Sequence, residues 1–531
     1  MKRHYLVLHR TVNREYLFLI VLLISSALLL LANLDNRYLW QDEAETALVG
    51  KTILSHGIPL GYDGKNFFSQ DGKDSYGTHH IWVLDPWVPY YLVAGSYLMF
   101  GVNTFAARLP FVLFGLATIM LLYFFTRRLT GDKKTAALAV ILLLLSVSFL
   151  LLCRQSRYYA LIAFFSLFGL YGYLLIQERR LSGSMIFVIS STLLFYSNHL
   201  FCATLLTTVA AHSLFFDFRS CKRICLLAIV ILFLTVPWII FVSGMRYTDH
   251  YGYRFFDNNF LFFFLVNLKH IDYYIFPFSL LLIPLSTSLL LRLRSRHTHT
   301  PSHMYSSVTG NVILIVLFVL ITVVALSIVS PAPFFRYLTQ VIPLFCVMTA
   351  MIVRYAAGNY FKTGIFIASF IFLLITIIDY QYGKFPPHNT GIRFLNFLDY
   401  MEEITTDYDG PIEGIVTYLN ENGNDDDIVA ITYGDLPVKF YTKMRVVGGL
   451  TDEDLSIADN ADWVIIRRHF IHDYAQRAKR VFEYMQKNIR GHYQEIVLDY
   501  PEMRWSNRPS PLWHKFRTVN SPDKVVIFQK Q

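Results

Sequence analysis

"YLFLIVLLISSALLLLANLDNRYLWQDEAETALVG", residues 16–50, sets two unlike chemistries side by side. Tyr16 to Asn33 is an apolar run long enough to cross a bilayer. Beyond it, three carboxylates (Asp42, Glu43 and Glu45) crowd the first turns of a segment that reads as a helix. Lys2, Arg3, Arg10 and Arg14 precede the run, which is longer than a signal-peptide core and lacks a small-x-small cleavage site. It is expected to be an uncleaved membrane helix with its N-terminus inside.

The apolar pattern recurs at about 107–126, 135–152, 158–176, 184–198, 200–216, 224–243, 271–291, 311–330, 337–353 and 362–380. With the first run these predict eleven spans and an α-helical polytopic membrane protein. Composition points the same way. Of 531 residues, 54% are hydrophobic and only 16% charged, and mean hydropathy is +0.41. That is too few charges for an ordinary soluble domain. The net charge of +9 suits the Lys and Arg that collect in cytoplasmic loops, and no nucleic-acid partner is expected. The five Cys form no CxxC pair or spaced framework, so neither a disulfide scaffold nor a Cys-based metal site is inferred.

Residues 87–100 are ambiguous, being short and holding Pro89 and Gly95. The positive-inside rule decides their placement. If they lie flat on the outer surface, eighteen Lys and Arg fall in inner segments, against six in the outer loops beyond Arg108. If they span, every later loop inverts. Eleven spans follow, with interfacial helix in an outer loop, Asp35–Ala107, and the C-terminus also outside. The membrane domain is then 1–380. In 381–531, "DDIVAITYG", "ADWVIIRR", "YQEIVLDY" and "KVVIFQK" read as buried strands, and "PVKFYTKM" and "DYAQRAKRVFEYMQKN" as helices between them. This predicts a small extracytoplasmic α/β domain. It has neither GxGxxG nor a P-loop, so a nucleotide site is unsupported.

This topology gathers unusual polar groups at the outer surface. The first loop brings Asp42, Glu43, His79, His80 and Asp85; "CRQSRYYA" brings Arg154, Arg157 and Tyr158; "YSNHLF" brings His199; "PAPFFRYLTQ" brings Arg336. Each has a plain alternative. Carboxylates favour a helix start, arginines snorkel, and a helix-end His forms hydrogen bonds. Outer cations nevertheless run against the statistical bias, and an anionic ligand at the bilayer surface, such as a lipid phosphate, accounts for the whole set.

"WQDEAETALVGKTILSHGIPLGYDG" (40–64) and "LDPWVPYYLVAGSYLMFGVNTFAARLPFVLFGLATIMLLYFFTRRLTG" (84–131), with "RQSRYYALIAFF" and "FFRYLTQVIPL", resemble the polyprenyl-phosphate-sugar-dependent glycosyltransferases of the GT-C fold. These are the protein O-mannosyltransferase and aminoarabinose transferase relatives, glycosyltransferase family 39. The resemblance covers roughly 16–380. It implies an enzyme that moves a sugar from a polyprenyl-phosphate carrier to a hydroxyl on protein, lipid or glycan, on the outer face of the inner (plasma) membrane, with inversion. The family's motif Asp maps onto Asp42, with Glu43 its companion. The family's Asp/Glu-Lys-Pro-Pro segment maps onto "DPWVPY", Asp85–Tyr90, where the Lys is missing, so no lysine–phosphate contact carries over. Some relatives have a second acid after the third span; this chain has Tyr158 there.

The chemistry needs a base for the acceptor hydroxyl, for which Asp42 is the candidate. It needs cations for the donor phosphate: Arg157, Arg336 and His199, with Arg154 a weaker candidate. Tyr158, Trp82 and Trp87 are candidates for stacking on the sugar, and His80 and Asp85 for further substrate contacts. No cofactor or metal ligand is required, although a divalent cation bridging Asp42, Asp85 or the His pair stays open. The alternatives are a lipid-linked glycan transporter or flippase, a polymer polymerase or ligase, and a scaffold for the tail. A transporter would carry polar groups along its spans, and the mid-span segments hold almost no charge.

Overall fold

The computed structural model describes residues 2–69, 75–245, 259–275, 302–330, 332–358, 397–449, 454–467, 476–488, 492–503, 508, 514–518 and 521–531. The membrane part comprises α1 (Lys2–Leu31), α2 (Gln41–His56), α3 (Val88–Phe100), α4 (Thr104–Thr130), α5 (Lys133–Leu144), α6 (Val147–Cys153), α7 (Tyr159–Gln177), α8 (Leu181–Phe195), α9 (His199–Phe216), α10 (Phe218–Met245), α11 (Phe260–His270), α12 (Ser302–Val329) and α13 (Ile342–Gly358). Among the described residues, seven helices are long and apolar enough to cross a membrane, or eight if one bent pair is a single span. Apart from the turn Ile271–Ile275, the expected spans 271–291 and 362–380 lie outside the described residues.

Two spans differ from the simple pattern. The span expected over 135–152 is broken: α5 and α6 meet at 67°. Ser146 starts the second piece, its hydroxyl accepting the N–H of Phe149 at 3.4 Å. The span expected over 184–198 is only 15 residues of helix, α8. It packs tightly on α7 through glycine: a Cβ on Gly183 would stand 2.7 Å from the nitrogen of Ile176 and 2.8 Å from the carbonyl oxygen of Gly172. Small residues allow such close backbone approach in a bilayer. α3 has 13 residues, too short to span and consistent with a helix lying along the surface.

The polar groups separate along α4, which at about 1.5 Å per residue reaches across a hydrocarbon core. Near its start, Arg108 meets Glu43 of α2. At its far end Arg127 and Lys133 pair with Glu15, and Arg354 pairs with Asp132 at 2.9 Å.

After α14 (Phe397–Glu403) comes a five-stranded sheet in the order β2-β1-β3-β5-β4. Its strands are β1 (Ile428–Ile431), β2 (Arg445–Gly448), β3 (Trp463–Ile465), β4 (Tyr493–Pro501) and β5 (Lys524–Lys530). β1 pairs in parallel with β2 and β3, while β5 runs antiparallel to β3 and β4. Helix α15 (Pro411–Asn422) buries Ile415, Val416 and Leu419 against Val429, Ile431 and Ile465 on one face. On the other face, α17 (Gln476–Asn488) buries Val481 and Met485 against Ala430, Val447 and Val464. Between them in sequence, α16 (Asp435–Tyr441) follows β1.

The domain is seated on the membrane part. The Tyr400 hydroxyl donates to the carbonyl of Leu29 at 2.6 Å, and Tyr400, Ile404 and Leu436 join the same apolar core as the membrane helices. The Lys439 ammonium donates to the carbonyl of Phe67 at 2.8 Å.

Candidate active site

α2 begins at Gln41, where the extended Trp40 turns the chain into helix and Glu43 reaches back to the Trp40 N–H at 3.4 Å. A solvated helix start would leave its acids in water. Here Asp42, Glu43 and Glu45 are 8%, 0% and 2% exposed. Buried carboxylates need charged or hydrogen-bonding partners, and distant segments supply them.

Glu43 is held most completely. Arg108 donates to both of its oxygens, at 2.8 and 2.7 Å, and the Ser156 N–H donates at 2.9 Å. The same guanidinium donates to the carbonyls of Leu34 and Arg37 at 2.8 and 3.0 Å. Glu43 thereby locks three segments together: the loop before α2, the start of α4 and the turn before α7.

Arg157 is the hub of the remaining charges. Its Nη1 lies 3.0 Å from a Glu45 oxygen, 3.1 Å from Thr46 Oγ1 and 3.3 Å from the Asp42 carbonyl. Its Nη2 lies 3.9 Å from Asp85. Burial pushes the Asp85 carboxyl above the usual aspartate range and the Asp42 charge adds to this, while Arg157 pulls it down. Arg336, in the 3-10 turn Phe335–Val341 that leads into α13, places Nη1 3.2 Å from Asp42 Oδ2. Its guanidinium also lies 4.5 Å from the ring centre of Phe334 and 5.5 Å from those of Trp40 and Tyr337.

The structure thus brings Asp42, Asp85, Arg157 and Arg336 into one cluster, with Tyr158 against it: the Arg157 guanidinium lies 5.6 Å from its ring centre. Other expected residues have different settings. Arg154 caps α1, donating to the carbonyls of Leu30, Ala32 and Asn33 at 3.1, 2.8 and 2.9 Å. Orphan helix-end carbonyls attract a cation, which accounts for this setting of the guanidinium. His199 packs on Phe195 and Trp238. Trp87 donates from Nε1 to the Trp82 carbonyl and packs on Phe241. His80 sits among Tyr62, Phe67 and Tyr76, on a turn where both it and His79 have positive φ. Among the described residues no three His, Cys, Asp or Glu side chains group as a metal ion would need.

Sequence reading did not assign Glu45 a site role, although its place beside the Asp-Glu pair was a signal. It also missed Arg108, whose partner lies 65 positions away.

Residues 85–241 match the family model of dolichyl-phosphate-mannose-protein mannosyltransferases. ArnT from Cupriavidus metallidurans bound to undecaprenyl phosphate superposes with a TM-score of 0.57 at 13% identity, over 97% of this chain and 98% of that one. The chain has the GT-C fold, and its residues 85–241 are similar to a glycosyltransferase family. The apo form of the same ArnT gives 0.56 at 14% identity over 98% of both chains. No curated protein matches by sequence. Within this GT-C chain, the family segment includes Asp85, Arg108, Arg154, Arg157, Tyr158 and His199; Asp42 and Arg336 lie outside it.

Proposed function

We propose that this GT-C glycosyltransferase takes a sugar from a polyprenyl-phosphate donor on the outer face of the plasma membrane and passes it, with inversion, to a hydroxyl on protein, lipid or glycan. The observation that carries this is the Arg336–Asp42 pair at 3.2 Å, with Arg157 against the same turn of α2. A carboxylate base and phosphate-binding guanidiniums stand together where the spans end. The ligand of the similarly folded ArnT, undecaprenyl phosphate, supports the donor class.

In the proposed reaction the donor phosphate docks on Arg336 and Arg157 and competes with Asp42 for Arg336. Asp42 then accepts the proton of the acceptor hydroxyl as the acceptor oxygen bonds to the anomeric carbon. The bond from that carbon to the phosphate oxygen breaks, and the electron pair leaves with polyprenyl phosphate, whose growing charge the guanidiniums stabilise. Glu43, saturated by Arg108 and the Ser156 N–H, orients the turn carrying Asp42 without exchanging protons. Tyr158 is the candidate for stacking on the sugar. The basic groups at the far end of α4 and the start of α5, Arg127, Arg128 and Lys133, support a cytoplasmic N-terminus and an extracytoplasmic C-terminal domain.

The test is incubation of purified protein with labelled polyprenyl-phosphate sugars and a mixed hydroxyl-acceptor extract. Sugar transfer is expected. Movement of the intact lipid between leaflets without transfer would make the chain a transporter.

A further inference from the structure

The two acidic and cationic sets above do not balance. Among the described residues, the cluster sets three carboxylates, Asp42, Glu45 and Asp85, against two guanidiniums, Arg157 and Arg336. Glu43 and Arg108 cancel each other. A phosphate entering this cluster would add negative charge to an excess already there, at a site where burial strengthens every repulsion.

The C-terminal domain places a further cation at the same wall. The Arg508 guanidinium lies 5.2 Å from the ring centre of Phe334 and 5.7 Å from that of Trp40. Arg336 lies 4.5 and 5.5 Å from the centres of the same two rings, so the Phe334 ring alone keeps the two guanidinium carbons within about 10 Å of each other (4.5 plus 5.2 Å). Arg508 is 8% exposed and Trp40 6%. The two π faces form part of the setting of this buried charge.

The position of Arg508 is fixed from behind. Its carbonyl lies 3.3 Å from His514 Nδ1, and His514 Nε2 lies 2.6 Å from Glu403. Asn36, six residues before Asp42, donates to the Glu403 carbonyl at 2.8 Å. A second tie lies on the other flank of α2. The fully buried Asp435 accepts from Gln41 at 2.7 Å and pairs with Lys439 at 3.2 Å, and the Leu39 N–H donates to the Tyr441 hydroxyl at 2.9 Å. The C-terminal domain therefore grips the chain just before Asp42 on two sides.

We propose that Arg508 is a donor-binding residue: the C-terminal domain contributes a third guanidinium that takes the phosphate of a polyprenyl-phosphate donor together with Arg336. This rests on the donor class proposed above. The extracytoplasmic domain is then a wall of the reaction chamber, and truncating it removes donor affinity.

The experiment compares binding of undecaprenyl phosphate and of the uncharged undecaprenol to the full chain in detergent, for wild type, Arg508→Ala and Arg508→Lys. Thermal unfolding of each variant checks the fold, and the lysine variant keeps a charge if the alanine variant is unstable. Wild type should prefer the phosphate. Arg508→Ala should lose about tenfold or more in phosphate affinity with undecaprenol binding unchanged, and Arg508→Lys should recover part of the loss. A wild type that prefers the phosphate alongside variants that bind it equally well overturns the role of Arg508 alone. A wild type that does not distinguish phosphate from alcohol overturns the donor class, and this proposal with it. If Arg508 instead served an anionic acceptor, the variants would bind undecaprenyl phosphate normally and show a raised KM for acceptor only, which also contradicts the proposal.

Discussion

Replacing Arg108 by Met tests the buried frame beneath the site. Glu43 is 0% exposed and Arg108 7%, so neither charge has water to fall back on. The variant removes the two hydrogen bonds at 2.8 and 2.7 Å and leaves Glu43 with only the N–H groups of Ser156, at 2.9 Å, and Trp40, at 3.4 Å. The carbonyls of Leu34 and Arg37 lose their donor in the same step. Stranding one member of a buried pair costs about 3–5 kcal/mol. Adding Glu43→Gln removes the stranded charge and should return about 2 kcal/mol of that loss. Wild type, both single variants and the double variant would be unfolded chemically in detergent micelles, giving a complete double-mutant cycle. A cost below about 1 kcal/mol for Arg108→Met, or two losses that simply add, would refute the claim that this pair fixes the turn carrying Asp42.

Arg157→Ala should reduce initial transfer rates by about 10²–10³-fold. Arg157→Lys should restore little, because one ammonium cannot span Glu45, Asp85 and the Asp42 carbonyl; near-normal rates in the lysine variant would contradict this. Glu403 supplies a pH test: burial raises its pKa, but Arg37 and His514 outweigh that and hold it at about 2. A depressed carboxyl stabilises the fold above its unfolded pKa, near 4.5, and that contribution, on the order of 3 kcal/mol, disappears as pH falls from about 4.5 towards about 2. Unfolding measured over that window should show the slope in wild type and lose it in Glu403→Gln.

What the sequence revealed and what it concealed follow from the range of each signal. Apolar runs are local, so α1, α4, α7, α9 and α10 were legible from hydropathy alone. The 67° break between α5 and α6 was not, because Leu145 and Ser146 interrupt no apolar pattern and the bend depends on a cap. Four strands of the C-terminal sheet were legible as β-branched runs, while β2, "RVVG", ends in glycine and was not. In the site, Arg157 and Arg336 stood out because outer cations oppose a statistical expectation, and Asp42 and Asp85 because they fall in the stretches that carry the family resemblance. What each guanidinium touches was hidden. Arg154 and Arg157 lie three positions apart, yet one caps a helix end and the other gathers carboxylates. Arg508 carried no periodicity at all, and only the seating of the C-terminal domain gives it a place.

The central claim is that one carboxylate deprotonates the acceptor. Asp42→Asn, folded as wild type in detergent, should be assayed for transfer from a labelled polyprenyl-phosphate sugar and, separately, for donor binding. Transfer should fall by on the order of 10²–10⁴-fold while donor affinity holds or rises, since Arg336 no longer has a charged competitor at 3.2 Å. Undiminished transfer by the well-folded variant would contradict the account.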